Sequence, residues 1–223
     1  MTERLPLFPL GTVLYPGLVL PLHVFEERYR QLVRDLLALP EPDRRFGVVC
    51  IREGREVGAE GVRALHEIGC AARVTEVREQ PDGRYDLVTV GSELFHLDAV
   101  GTDQPYFTGT VTWLEDSRGD EAELSVLTPA VHAAFEGYLD ALGRAGGGQL
   151  EAPELPDDGQ VLSHLVGASM ALDLADRQDL LEQPDAVARL RRELSLLRRE
   201  AVVLDELRAV PAPELARAHA SPN

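Results

Sequence analysis

The chain contains no lysine: all 22 of its basic residues are arginine, set against 38 acids. Whatever compositional bias toward arginine lies behind this, two chemistries are closed. A Walker-type phosphate loop ends in a lysine that reaches the phosphates, and a serine–lysine peptidase needs that amine as its general base. Cysteine is almost as scarce. Cys50 and Cys70 stand far apart and in no Cys-x-x-Cys spacing, which excludes a disulfide framework and a zinc knuckle and points to a reducing, cytoplasmic setting. No apolar run reaches the ~18–20 residues of a membrane span, because prolines, Gly11 and Gly17 interrupt the N-terminal stretch. Glu3 and the same prolines spoil the order of a signal peptide. Positive charge is short throughout, with a net charge of −16 and an acidic balance on both sides of Arg118. Such a chain repels polyphosphate and gains nothing from counterion release, so neither nucleic acid nor anionic membrane is an expected partner. Basic or apolar polypeptide surfaces fit better, unless the charge serves solubility alone.

What is present is a hydrophobic content of 44%, sufficient for a core, and an opening of prolines spaced through aliphatics. Pro6, Pro9, Pro16 and Pro21 each remove a backbone donor and fix φ, which confines them to strand starts, edges and turns, and Gly17 frees the corner after Pro16. Two short bent strands are expected. At Phe25 the apolar spacing changes to Phe25, Tyr29, Leu32, Val33, Leu36 and Leu37, which predicts a helix from Phe25 to Leu39, stopped before Pro40. Arg45 to Arg52 then reads as a buried strand, Gly54 to Gly61 as a polar loop, and Leu65 to Val77 as a strand. Pro81-Asp82-Gly83 supplies the turn of a hairpin that resumes at Tyr85 to Val90. Phe95, Leu97 and Ala99, then Phe107, Thr110, Val111 and Trp113, extend the pattern into a last pair of strands around Pro105. The pattern is that of a small, partly closed barrel of about six strands with one early helix.

From Glu121 the spacing is helical, through Leu124, Leu127, Val131, Phe135, Tyr138, Leu139 and Leu142, with Pro129 expected to bend or restart the helix. Gly143 to Gln160 reads as a flexible connector. Helices over Val161–Leu172 and Ala175–Glu182 follow, and Pro184 opens a third that reaches Leu207 or beyond. The expected organisation is a barrel over 1–118, a helical part over 119–210 and a flexible tail over 211–223, an α+β chain.

The opening, Leu-Pro-Leu-Phe-Pro-Leu from Leu5 through the helix that carries Glu26-Glu27-Arg28-Tyr29, resembles the start of the Lon protease N-terminal domain. Phe46-Gly47-Val48-Val49, Glu67-Ile68-Gly69-Cys70-Ala71, Pro81-Asp82-Gly83-Arg84-Tyr85 and Gly91 before Phe95 fall in that family's order. Leu162-Ser163-His164-Leu165, Arg177-Gln178 through Glu182, and Val187-Ala188-Arg189-Leu190 resemble its helical part. The likeness runs from about Leu5 to Leu207; Leu94 and Cys70 depart from it, standing where a basic residue and a threonine are usual. It implies a PUA-like β-barrel followed by a helical bundle, and a non-catalytic module that binds unfolded or degron-bearing polypeptides, delivering them to a protease acting in trans. The ATPase and peptidase parts of full-length Lon have no counterpart in the sequence. The competing reading is a small-ligand or modified-base sensor on the barrel.

Phe8, Leu10, Leu14, Tyr15, Leu18, Leu20, Leu22 and Phe25 are mostly core by composition, yet some of them can line an apolar groove for exposed side chains. Phe8, Leu10, Tyr15, Leu18, Leu22 and Phe25 are the candidate binding residues, and a strand edge could add a peptide by main-chain pairing. Glu26 lies four residues before Arg30, a structural pair rather than an acid–base one. The six histidines show no metal spacing, and Ser92 with His96 or Ser163 with His164 lacks a nucleophile elbow, so no catalytic residue, metal or cofactor is expected. In the last helix Leu190, Leu194, Leu197, Ala201 and Leu204 form a short heptad stripe, able to seam a dimer or to pack within the bundle.

Overall fold

A computed structural model describes residues 2–55, 62–146 and 154–209. The proline-rich opening folds as two strands, β1 (Thr2–Leu10) and β2 (Val19–Val24). Between them Gly17 takes a φ of 78°, the left-handed conformation that the Pro16-Gly17 corner requires. Helix α1 covers Glu27–Leu37 and buries Tyr29, Leu32, Val33 and Leu36. It starts two residues later than the apolar spacing predicts, because Phe25 stays outside it in extended chain. The expected Glu26–Arg30 pair also shifts: Arg28 holds Glu26 at 3.1 Å and Arg30 holds Glu27 at 2.8 Å.

Five further strands follow: β3 (Arg45–Gly54), β4 (Val62–Leu65), β5 (Ile68–Glu79), β6 (Tyr85–Gly101) and β7 (Thr108–Trp113). Two boundaries differ from the sequence pattern. The stretch expected as one strand from Leu65 is split at His66 and Glu67, and the stretch expected to break after Val90 is one 17-residue strand. It continues because Gly91 has no Cβ, letting the backbone of Tyr15 close against it. The polar loop expected at Gly54–Gly61 lies largely outside the described residues, as do the centre of the connector at Gly147–Pro153 and the tail over 211–223.

The strands run in the order β1-β7-β6-β5-β3, and β1 also pairs in parallel with β3, so the five close into a ring. The sense of that last pairing is read from its register, Leu7 with Gly47 through Leu10 with Cys50. Strand β4 extends the sheet from β3, and β2 pairs with the first half of β6. Leu5, Leu7, Val49, Ala71, Phe95 and Val111 fill the ring. The filling is tight: a Cβ added to Gly47 would sit 2.8 Å from both Leu7 and Phe95. Phe8, Phe46, Val48 and Tyr15 instead point outward, into a second and larger cluster shared with α1 and the C-terminal helices.

Those helices are α2 (Glu121–Gly146), α3 (Gly159–Ser169), α4 (Leu174–Leu181) and α5 (Ala186–Ala209). Helix α2 runs through Pro129 without the expected restart. Asp158 and Asp173 cap α3 and α4 through their side chains. Helix α5 is opened by Asp185, whose carboxylate accepts from the Ala188 amide at 2.7 Å, and not by Pro184 itself. The heptad stripe is used inside the bundle, where Leu190 and Leu197 are fully buried.

The packing around two glycines gives opposite expectations for one substitution. At Gly69 a Cβ would lie 2.6 Å from the Val48 carbonyl oxygen and 2.6 Å from Phe95, so Gly69→Ala is expected to lose about 1–3 kcal/mol. Gly137, exposed in α2, has open space at that position, and Gly137→Ala is expected to gain about 0.5–1 kcal/mol. Urea unfolding of the two variants beside the parent checks both signs.

Candidate functional site

The candidate residues divide into three groups. Phe8, Leu10, Leu22 and Phe25 come together at one pocket of 180 Å³, where the end of β1 approaches β2 and the start of α1. Its floor is Phe8, stacked on Tyr29 with ring centroids 4.0 Å apart and planes inclined by 14°. Pro9 and Leu10 form one wall, and Pro21 to Val24 form the other. Phe25 stands at the lip, 52% exposed, with His23 stacked against it at 6.3 Å. The His23 ring is itself held by Asp86, 2.6 Å from Nδ1.

Leu18 is half-buried and packs on the large cluster rather than into the pocket. Tyr15 lies inside that same cluster and away from the pocket. It is fully buried, and its hydroxyl donates to the Arg177 carbonyl at 2.7 Å, which fastens the β1–β2 connection to α4. Burial pushes its phenol up from the ordinary value, with the nearby Glu193 adding to the shift. Val19, 62% exposed, and Pro21 continue the apolar surface away from Phe25. The pattern of large apolar residues in the opening does not include these two. Strict alternation along β2, with Val19, Pro21 and His23 outward and Leu20, Leu22 and Val24 inward, is the signal that marks them.

The densest polar cluster lies elsewhere, where the barrel meets the helices. Arg189 of α5 is 1% exposed. It donates to the Leu180 carbonyl at 3.2 Å and to the Ser163 hydroxyl at 2.9 Å, and its charge faces Asp116 at 3.4 Å. Asp116 also accepts from His164 Nε2 at 2.7 Å and from Gln160 at 2.8 Å. Burial works against the charge on Asp116, but these donors and the guanidinium win and bring its carboxyl down to about 2. Burial and the charge of Arg189 press the His164 ring below its ordinary range, against the pull of Asp116.

Serine, histidine and aspartate meet here without forming a hydrolytic triad. Ser163 donates to the Gln160 carbonyl and accepts from Arg189, so its oxygen has no base to activate it and no path to solvent. The cluster is a structural joint. Removing one partner of a buried pair of this kind costs about 3–5 kcal/mol. Gln178 adds a direct tie to the barrel, donating to the Ile68 carbonyl at 3.0 Å. Cys50 and Cys70 are both buried free thiols, and burial pushes Cys70 up to about 12, far from reactive. Among the described residues no group of three or more metal-ligating side chains is placed to hold an ion, and no helix is long and apolar enough to cross a membrane.

Comparison with known proteins bears on this arrangement as a whole. Residues 4–199 match the sequence model of the ATP-dependent protease La (LON) substrate-binding domain. The Lon protease of Escherichia coli (strain K12) is 28% identical over 198 residues, covering 88% of this chain. Lon protease 2 of Myxococcus xanthus is 27% identical over 204 residues, covering 91% of it. The chain spans about a quarter of the length of these relatives: 25% of the first and 24% of the second. A Lon N-terminal domain protein from Xanthomonas campestris superimposes with a TM-score of 0.61 at 24% identity, over 86% of this chain and 98% of that one. The N-terminal domain of Mycobacterium avium complex Lon protease gives 0.59 at 16% identity, over 88% and 98%. Both share the barrel-and-helices fold.

Beside the joint, Glu193 is fully buried and neither carboxylate oxygen meets a side-chain partner. Burial raises its carboxyl well above the ordinary value, opposed by Arg189 and the Gly167 amide. The neutral form is therefore the one the fold accommodates. Its contribution is fully present below the unfolded-state value of about 4.3 and is lost as pH rises toward the raised folded-state value. Glu193→Gln, which cannot ionise, is expected to gain stability relative to the parent as pH increases. Urea midpoints at about pH 5 and about pH 9 check this; a difference independent of pH would contradict it.

Proposed function

This chain belongs to the LON substrate-binding domain family, and from that premise we propose that it is a non-catalytic polypeptide-binding module acting in the cytoplasm. Its clients in this reading are unfolded or degron-bearing proteins, which it holds for a protease supplied in trans. The observation that carries the reading is the exposed Phe25 at the lip of a pocket floored by the stacked Phe8 and Tyr29, with the exposed Val19 further along β2. A soluble surface has no structural need for such a patch, and a module that takes side chains normally hidden in cores does. The match of the chain to the substrate-binding part of the relatives supports the same reading. So does the missing lysine, without which a serine–lysine peptidase has no base.

The competing small-ligand reading finds little room inside the ring or at Phe25, although clefts of 380 Å³ beside Leu65, Leu97 and Phe107 and of 480 Å³ beside Leu37, Val74 and Tyr85 are of ligand size. The ring interior is filled by Leu7, Phe95 and their neighbours, and the pocket at Phe25 has 180 Å³, below the ~300–1,000 Å³ that encloses a compact ligand. A side chain presented by a longer polypeptide fits the pocket better.

Fluorescence anisotropy of a labelled, permanently unfolded polypeptide titrated with this protein tests the proposal, with the natively folded form of the same polypeptide as control. Saturable binding of the unfolded form alone, without cleavage on prolonged incubation, is the expected result. Binding of neither form would remove the reading.

A further inference from the structure

Strand β1 closes the ring against β7 over one half of its length and against β3 over the other. Strand β1 pairs with β7 only as far as Pro6, and from Leu7 onward its sole strand partner is β3. The last bond on its other side runs from the Leu7 amide to the Phe107 carbonyl at 2.8 Å. Among the described residues strand β2 pairs with β6 alone. Each therefore keeps a bare edge, and the pocket lined by Pro9 and Leu10 from one strand and Pro21 and Leu22 from the other lies at these edges.

The chemistry of the edges follows from alternation. Gly91 donates to the Leu18 carbonyl, so Leu18, Leu20, Leu22 and Val24 turn their backbone groups toward β6, and Val19, Pro21 and His23 turn theirs outward. On β1 the Leu7 amide faces away from β3, and so therefore does the backbone of Pro9. At the centre of both bare edges stands a proline, which has a carbonyl to offer and no N–H. The seam is thus rich in acceptors and poor in donors. Neither Pro9 nor Pro21 can donate to a partner strand, so a segment that settles there supplies the donors their carbonyls take.

Resting on the polypeptide-binding reading above, we infer that this seam is the docking slot for an extended polypeptide segment, laid along the outer edge of β2. Its backbone amides meet the Pro21 and His23 carbonyls. One bulky apolar side chain enters the pocket between Phe8 and Phe25, and arginine or lysine flanks it. The flanking charge follows from complementarity: the chain carries a net charge of −16, and Asp86 and Glu26 stand at the rim, paired with His23 and Arg28. The pocket takes one side chain, and the edge reads main chain, so the specificity is for a short apolar–basic pattern and not for a defined sequence.

Three labelled synthetic peptides test this by anisotropy with the full chain: a Leu-Phe-Leu core flanked by arginines, the same core flanked by glutamates, and the arginine version with N-methylated core amides. The first is expected to bind, the other two to bind at least roughly tenfold more weakly. Phe25→Ser, at an exposed position, is expected to weaken the first peptide by a similar factor. Val126→Ser, on the exposed face of α2, leaves it unchanged. Equal binding of the N-methylated peptide, or indifference to Phe25→Ser, overturns the inference. If the unfolded polypeptide still binds while the arginine peptide fails to compete with it, the slot is wrong and the polypeptide-binding reading stands. If neither binds, both fall. Concentration-dependent self-association abolished by Phe25→Ser, without peptide binding, assigns the seam to a second copy of the chain and overturns the inference as well.

Discussion

The guanidinium of Arg189 is the point on which the two halves of the molecule hang together. It reaches the end of α4, the second turn of α3 and, through Asp116, the segment that leaves the barrel. A buried arginine cannot shed its charge, so Asp116 must stay ionised, and its low pKa is the other side of that requirement. The neighbouring carboxyl of Glu193 goes the opposite way and is accommodated neutral. One arginine thus faces one anion, and the joint is near electroneutral, with Arg189 buried and Asp116 at its partly exposed edge. Gln178 and Tyr15 then fasten the barrel to α4 by bonds to main-chain carbonyls, which leaves β1 and β2 held from behind while their outer edges stay bare.

That arrangement explains why a rigid scaffold can present an unfinished sheet. The ring is packed to the point that glycines are needed opposite Phe95, and the stacked pair of Phe8 and Tyr29 fixes the pocket floor. The prolines do double duty. They bend the opening segment, and by withholding donors at Pro9 and Pro21 they make the bare edges poorer partners for one another or for the same edge of another molecule. An edge guarded in this way is safe in the folded protein and still usable by a chain that supplies its own amides.

Much of the fold was legible in the sequence, because prolines, alternating strands and helical stripes each leave a local trace. The early helix, the hairpin at Pro81-Asp82-Gly83 and the four later helices all stand close to where the spacing puts them. What misled was punctuation whose meaning is tertiary. The stretch expected to end at Val90 runs on through Gly91, where Tyr15 approaches closely, and Pro129, expected to bend or restart its helix, lies within an unbroken α2. The site was half legible. Phe8, Leu10, Leu22 and Phe25 do meet, but Tyr15 is drawn into the joint by Arg177, a partner 162 residues away in sequence. Likewise, Arg177-Gln178 and Arg189 were visible as motifs, while their role as the fastening between barrel and helices needed coordinates. No local pattern announces a contact of that range.

The first strand closes the ring on both sides, with Leu7 beside Gly47 and Thr2 beside Thr112. On a ribosome, β1 and its mostly apolar side chains are made early and must wait for β7, the last strand, before the barrel can shut. Until then the Thr2–Pro6 half of β1 lacks its strand partner, an exposed segment of the kind this fold is proposed to bind. Closure over so long a loop is slow relative to helix formation. The early prolines, which keep Pro6 and Pro9 from donating to any passing strand, guard the protein during its own synthesis as well as after it.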